Sequence, residues 1–200
     1  RADPVESEVD GSAAVSLGSG KAITAAAPSW AGLWVGTAGA GIFIKGDVTC
    51  HVNDGQTVYA LHNHNGELWA SIDKYDSENR ILKYYVMRWN TNGGDCNWDT
   101  TMTGISNLVK VNAFASSPSQ LLAATSAGVY INNQSTHIWT PASGLSGAVY
   151  AFAADPNVNG RVYAAAESGA YVSNNQGGTW QLVARPELQG RAFVSALVDP

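Results

Sequence analysis

Short hydrophobic runs separated by Gly-, Asn- and Ser-rich turns fill most of the chain, and long helix-forming stretches of Glu, Lys, Leu and Arg are missing. The runs predict strands. The first group comprises Ala22–Ala27, Leu33–Thr37 and the start of a third strand at Gly41–Ile44. The second comprises Thr57–Leu61, Leu68–Ile72 and Ile81–Asn90, with the insert DKYDSENR at 73–80 lengthening one hairpin. The third has Val109–Ala115, Leu121–Thr125 and Gly128–Asn132, and the fourth has Val149–Ala154, Arg161–Ala165 and Gly169–Ser173. The final strands of these last two groups pass through Trp139 and Trp180.

The groups repeat. Trp98, Trp139 and Trp180 are spaced 41 residues apart, and LLAATSAGVYINNQSTHIW at 121–139 parallels VYAAAESGAYVSNNQGGTW at 162–180. A period of about forty residues built from strands predicts the four-stranded antiparallel blades of a β-propeller, not a helical solenoid. The expected blades are 21–54, 55–108, 109–147 and 148–190, and 191–200 is expected to supply the innermost strand of a fifth. Proline closes the opening strands at Pro28, Pro118 and Pro156, and Pro200 repeats the pattern. There it ends a ladder without removing a central hydrogen bond. Four blades and a strand would leave hydrophobic faces open, so the expectation is part of a ring of about six to eight blades, or copies that complete one. Residues 1–20 are polar and Gly/Ser-rich and read as a flexible leader or an edge strand.

With 45% hydrophobic residues in 200, the chain can bury a substantial core. A net charge of −5 and the absence of any Lys/Arg cluster argue against nucleic acid, which demands a basic stripe to replace counterions. No segment approaches the length of apolar sequence required to span a bilayer. The opening RADPVESEVDGS, without Met, resembles the polar start of a secreted chain after signal removal; a boundary of other origin would look the same. Cys50 and Cys96 are the only cysteines, and an even pair in a Trp-rich, Lys-poor chain favours a disulfide in an oxidising compartment. Two unrelated free thiols are the alternative.

Ser173-Asn174-Asn175-Gln176-Gly177-Gly178-Thr179-Trp180 resembles the Asp-box, or bacterial-neuraminidase repeat, with the pattern Ser-x-Asp-x-Gly-x-Thr-Trp between the third and fourth strands of a blade. Asn175 stands where Asp is usual. Every residue has a turn role: a short polar side chain caps backbone N–H groups, glycine takes a dihedral unfavourable for other residues, and Trp closes the apolar underside. The copies ending at Trp98 and Trp139 are degenerate, and the first unit has none. Asp-box propellers include sialidases, xyloglucan-cleaving endoglucanases, sortilin-type receptors and the lumenal assembly factor of photosystem II. The resemblance implies a peripheral, structural role for Ser173, Asn175, Gly177, Thr179 and Trp180.

Catalytic constellations are incomplete. A sialidase requires three convergent arginines, and Arg80, Arg88, Arg161, Arg185 and Arg191 are scattered. A glycosidase requires two carboxylates across the funnel; several exist in turns, but no pair stands out, and Asp155 and Asp199 sit in equivalent Asp-Pro turns. His62 and His64 would share a face on a strand and could meet a metal, but NHNGE reads as a hairpin turn, where that periodicity fails. GTAGAG at 36–41 opens no helix, so no nucleotide cradle and no cofactor is implied. Asn133-Gln134-Ser135 is a glycosylation sequon of use only to a secreted eukaryotic chain.

Trp30, Trp34, Trp69 and Trp89 crowd the first two units and are candidate binding aromatics for sugar or protein, with inter-blade core as the other role. The expected function is an extracytoplasmic module, whether secreted, periplasmic or cell-surface, that binds a protein partner or assembles into a larger complex. The alternative is a xyloglucanase-like glycoside hydrolase acting on polysaccharide, with catalytic residues partly outside this segment.

Overall fold

The computed structural model describes residues 22–29, 32–44, 55–75, 82–89, 97–117, 119–188 and 190–198. The leader at 1–20, Trp30, Cys50, Cys96, most of the insert and the turn before Trp98 lie outside them, and with them the expected disulfide.

All regular structure among the described residues is β, apart from a single 3-10 turn at Pro186–Leu188. Strands β1 (Ile23–Ser29), β2 (Gly32–Thr37) and β3 (Ile42–Ile44) form a three-stranded sheet. Three four-stranded sheets follow in chain order. The second sheet holds β4 (Val58–His64), β5 (Glu67–Tyr75), β6 (Leu82–Trp89) and β7 (Trp98–Thr100). The third holds β8 (Val111–Ser117), β9 (Gln120–Thr125), β10 (Gly128–Asn132) and β11 (Trp139–Pro141). The fourth holds β12 (Val149–Ala154), β13 (Val162–Ala166), β14 (Gly169–Ser173) and β15 (Gln181–Leu182). Each is an antiparallel meander, the topology that short turns between consecutive strands impose. The first strands, β1, β4, β8 and β12, are successive neighbours, so the sheets meet along them.

Each of these first strands carries the same irregularity. Register slips at the second residue, between Ile23 and Ala25, Val58 and Ala60, Val111 and Ala113, and Val149 and Ala151. The extra residues are Thr24, Tyr59, Asn112 and Tyr150. A bulge raises local twist and frees one side chain from the ladder. Asn112 uses that freedom to donate from Nδ2 to the Val149 carbonyl of the next sheet at 2.7 Å.

The core lies between sheets. Alternation along the strands gives the second and third sheets two apolar faces each, and three clusters fill the three seams. Trp98 packs on Trp34 of the preceding sheet with ring centroids 5.9 Å apart, and Trp139 packs on Trp69 at 5.7 Å, both edge-on. Trp180 fills the equivalent place against Leu122 and stacks on Phe152 at 5.8 Å. Backbone locks repeat too: Trp139 N donates to Thr103 O and Trp180 N to Ser143 O. Gly104 and Gly144 sit beside these bonds with φ of +94° and +85°, and a Cβ on either would collide with the Trp139 or Trp180 carbonyl.

Residues 191–198 depart from expectation. They form no strand, and Val194 and Leu197 are exposed. The segment is attached to the fourth sheet by Phe193 N donating to Ala166 O.

Candidate functional site

The distal ends of β4, β8 and β12 come together on one face. Asn65 and Gly66, at φ of +52° and +86°, make a two-residue turn whose left-handed pair suits the twist of a β4–β5 hairpin. Asn63 Oδ1 accepts from Gly66 N at 3.0 Å, and Asn63 Nδ2 donates to Pro28 O of the first sheet at 3.1 Å. The turn therefore begins only after His64. His62 and His64 are both in β4 and share a face, contrary to the expectation that the hairpin would break their periodicity.

Both imidazoles turn to one hydroxyl. Ser116, near the end of β8, lies 2.7 Å from His62 Nε2 and 2.8 Å from His64 Nδ1. Asn65 Nδ2, which can only donate, meets His64 Nε2 at 3.2 Å, so His64 carries its proton on Nδ1. That proton goes to Ser116 Oγ, and Ser116 donates onward to His62 Nε2. Such a chain is satisfied only by neutral rings. Burial lowers His62 to about 4, with the nearby His64 acting in the same direction. Burial also lowers His64 and outweighs the opposing pull of Glu67, which Arg88 engages at 2.6 Å. Among the described residues no three His, Cys, Asp or Glu side chains converge as metal ligands.

Ser116 and Asn65 border a cleft of about 550 Å³ whose other walls are Ser117 and the loop 154–162. Asp155 shapes that loop: its Oδ1 accepts from Asn157 N at 2.9 Å and Val158 N at 3.2 Å, and its Oδ2 faces Arg161 at 3.6 Å. This is the turn-forming role the Asp-Pro pattern suggests. Arg161 Nε also donates to Asn174 Oδ1 at 2.9 Å, and Gln176 N donates to Gly160 O at 2.8 Å. The Ser173–Trp180 turn thus braces the cleft loop from behind.

Within the turn, Ser173 Oγ accepts from Gly177 N at 2.9 Å, and Asn175 Oδ1 accepts from Ser173 Oγ and Thr179 N, both at 2.9 Å. Gly177 has φ +87°, and Trp180 Nε1 donates to its carbonyl at 2.9 Å. The described candidate binding aromatics, Trp34, Trp69 and Trp89, lie elsewhere. Trp34 and Trp69 are 0% exposed, and both pack in seams, so neither can meet a ligand here. Trp89 packs against Trp34 at 5.0 Å. The cause is geometric: Trp34 on β2 meets Trp89 and Trp98, and Trp69 on β5 meets Trp139, so these large side chains fill the gaps between sheets. Ser116 carries no catalytic or binding motif in the sequence. Its only signal is alignment of the strand ends HNH, SSP and ADP, which places polar groups at one level.

No family model matches the chain, and no curated protein matches its sequence. Solved structures do match. An extracellular domain from B. thetaiotaomicron, assigned to a hybrid two-component system, aligns with TM-score 0.61 and 12% identity over 86% of this chain and 24% of its own. The GH74 enzyme of Niastella koreensis aligns with TM-score 0.54 and 16% identity over 77% of this chain and 28% of its own. The fold is a β-propeller. A second structure of a B. thetaiotaomicron extracellular domain, assigned to a one-component system, gives TM-score 0.59 and 14% identity over 86% of this chain and 24% of its own. The chain spans about a quarter of the length of these propellers. No helix among the described residues is long and apolar enough to cross a membrane.

Proposed function

We propose that the chain is a blade segment of an extracytoplasmic propeller that binds a protein partner or holds a larger assembly together, with the Ser116 cleft as contact surface. The observation that carries this is the cleft itself, to which three consecutive sheets contribute polar groups. Loops on a rigid frame are where recognition is commonly placed. Among its described lining residues the single carboxylate, Asp155, is committed to two backbone N–H groups and Arg161. Glycoside hydrolysis requires a free carboxylate pair, so this wall suits binding better than bond cleavage. The Ser173–Trp180 turn, read as an Asp-box with Asn175 in the acidic position, serves the cleft indirectly by supporting its loop. An extracytoplasmic site accords with the two extracellular neighbours, and a Cys50–Cys96 disulfide belongs to the same proposal.

The test is Asn157→Trp, which fills the cleft from an exposed loop position. The wild-type and N157W chains would be compared as baits for extracytoplasmic proteins, and by affinity electrophoresis in soluble xyloglucan. A protein retained by the wild type and released by N157W supports the proposal. Retardation in xyloglucan that N157W abolishes would reassign the cleft to polysaccharide. Binding of any kind that N157W leaves intact removes the cleft from the account.

A further inference from the structure

The seams of this propeller are not chemically alike. Between the third and fourth sheets the first strands meet through Ala, Val and Phe side chains and the Asn112–Val149 bond. Between the second and third, the distal strand ends meet through His62, Ser116 and His64. A hydroxyl has one proton, so it can serve two imidazoles only if one accepts and the other donates. Once His62 is protonated, both facing nitrogens are donors, Ser116 has no acceptor for its own proton on that side, and a cationic ring sits beside a second imidazole on one strand face; protonation of His64 as well would place two like charges there.

We propose that the His62–Ser116–His64 bridge is an acid-sensitive latch that closes the second seam when both rings are neutral and releases the β4 and β8 ends beneath the cleft when they are protonated. The surrounding charges do not neutralise it. On β5, Glu67 favours the charged form of His64, but Arg88 of β6 holds its carboxylate, and Asp99 of β7 lies on the far side of that guanidinium. From the fourth sheet, Asp155 and Arg161 reach the same cleft already paired. The first sheet offers the Pro28 carbonyl to Asn63, and the β10–β11 loop brings His137 against Trp69 at 5.9 Å rather than to the bridge.

The magnitude follows from linkage. His62 titrates at about 4 when the seam is closed. In an open seam it would return to the ordinary value near 6.5, so opening gains roughly tenfold per pH unit between those limits, or about 20-fold from pH 7 to pH 5. His64 adds in the same direction.

Amide hydrogen exchange, corrected for the pH dependence of intrinsic exchange, tests the latch. Protection over 60–66 and 113–117 is expected to fall about 20-fold or more between pH 7 and pH 5, while that over 162–166 stays level. The double variant His62→Gln/His64→Gln should abolish the difference. If it does not fold, the wild-type comparison of the two seams decides alone. Equal loss of protection in both seams, no loss in either, or an undiminished response in the folded double variant would overturn the proposal.

Discussion

Asn175 holds the Ser173–Trp180 turn through one oxygen, so Asn175→Asp and Asn175→Ala should move stability in opposite directions. Oδ1 accepts from Thr179 N and from Ser173 Oγ, whose residue is buried. A neutral hydrogen bond contributes about 0.5–1.5 kcal/mol and one to a charged acceptor about 1.5–3 kcal/mol. Asn175 is exposed, and water screens much of that difference, leaving a gain for N175D of about 1 kcal/mol. For a chain of this size that raises Tm by about 2–4 °C. Alanine removes both bonds and leaves the Ser173 hydroxyl without its acceptor, at a cost of about 1–2 kcal/mol. The carboxylate's hydrogen bonds hold its folded pKa below the unfolded value of about 3.9. Its contribution is therefore complete above that value and disappears as pH falls through the folded pKa. Urea melts followed by Trp fluorescence at pH 7 and pH 3 measure all three chains. An N175D chain no more stable than wild type at pH 7, or a gain undiminished by acid, would refute the assignment of Oδ1 as the organising acceptor.

Further outcomes follow from the seams. Trp139→Ala should cost about 3–5 kcal/mol in urea melts, because it empties a buried site and frees Thr101 O, which accepts from Trp139 Nε1. Gly144→Ala should destabilise more than Gly147→Ala, although both have positive φ, because only Gly144 faces the Trp180 carbonyl; thermal melts of the pair isolate that contact. His62 binds its proton more weakly folded than unfolded, so stability is complete above about pH 6.5 and falls as pH approaches 4. The loss is up to roughly 3 kcal/mol, and it should be smaller in His62→Gln melts across that range.

Strand positions were legible because alternation, glycine turns and the Trp period all express the same sheet geometry. The pairing of Trp139 with Thr103 and of Trp180 with Ser143 is the physical content of that period. The bulges were not legible, since Thr24, Tyr59, Asn112 and Tyr150 are polar but of no one type or size that marks the position: a freed side chain is under no ladder constraint. The role of Trp34 and Trp69 was ambiguous in sequence because an indole suits a seam or a sugar equally well, and only neighbouring strands decide which. The expected NHNGE turn takes in His64, whereas the strand runs through it. Asn65-Gly66 alone makes the reversal, so strand alternation persists through His64. Ser116 had no signal of its own, for its partners lie 52 and 54 residues away in sequence.

The Trp backbone locks also define where one unit of the ring ends. Thr103 precedes β8 in the chain yet bonds to Trp139 at the far edge of the same sheet, so the linker and the last strand clasp each other around the strands between them. A cut at Val109 would discard half of that clasp. A unit that keeps both halves of the clasp runs from Thr101 to Pro141, and insertion or duplication of blades in this chain is expected to preserve those limits.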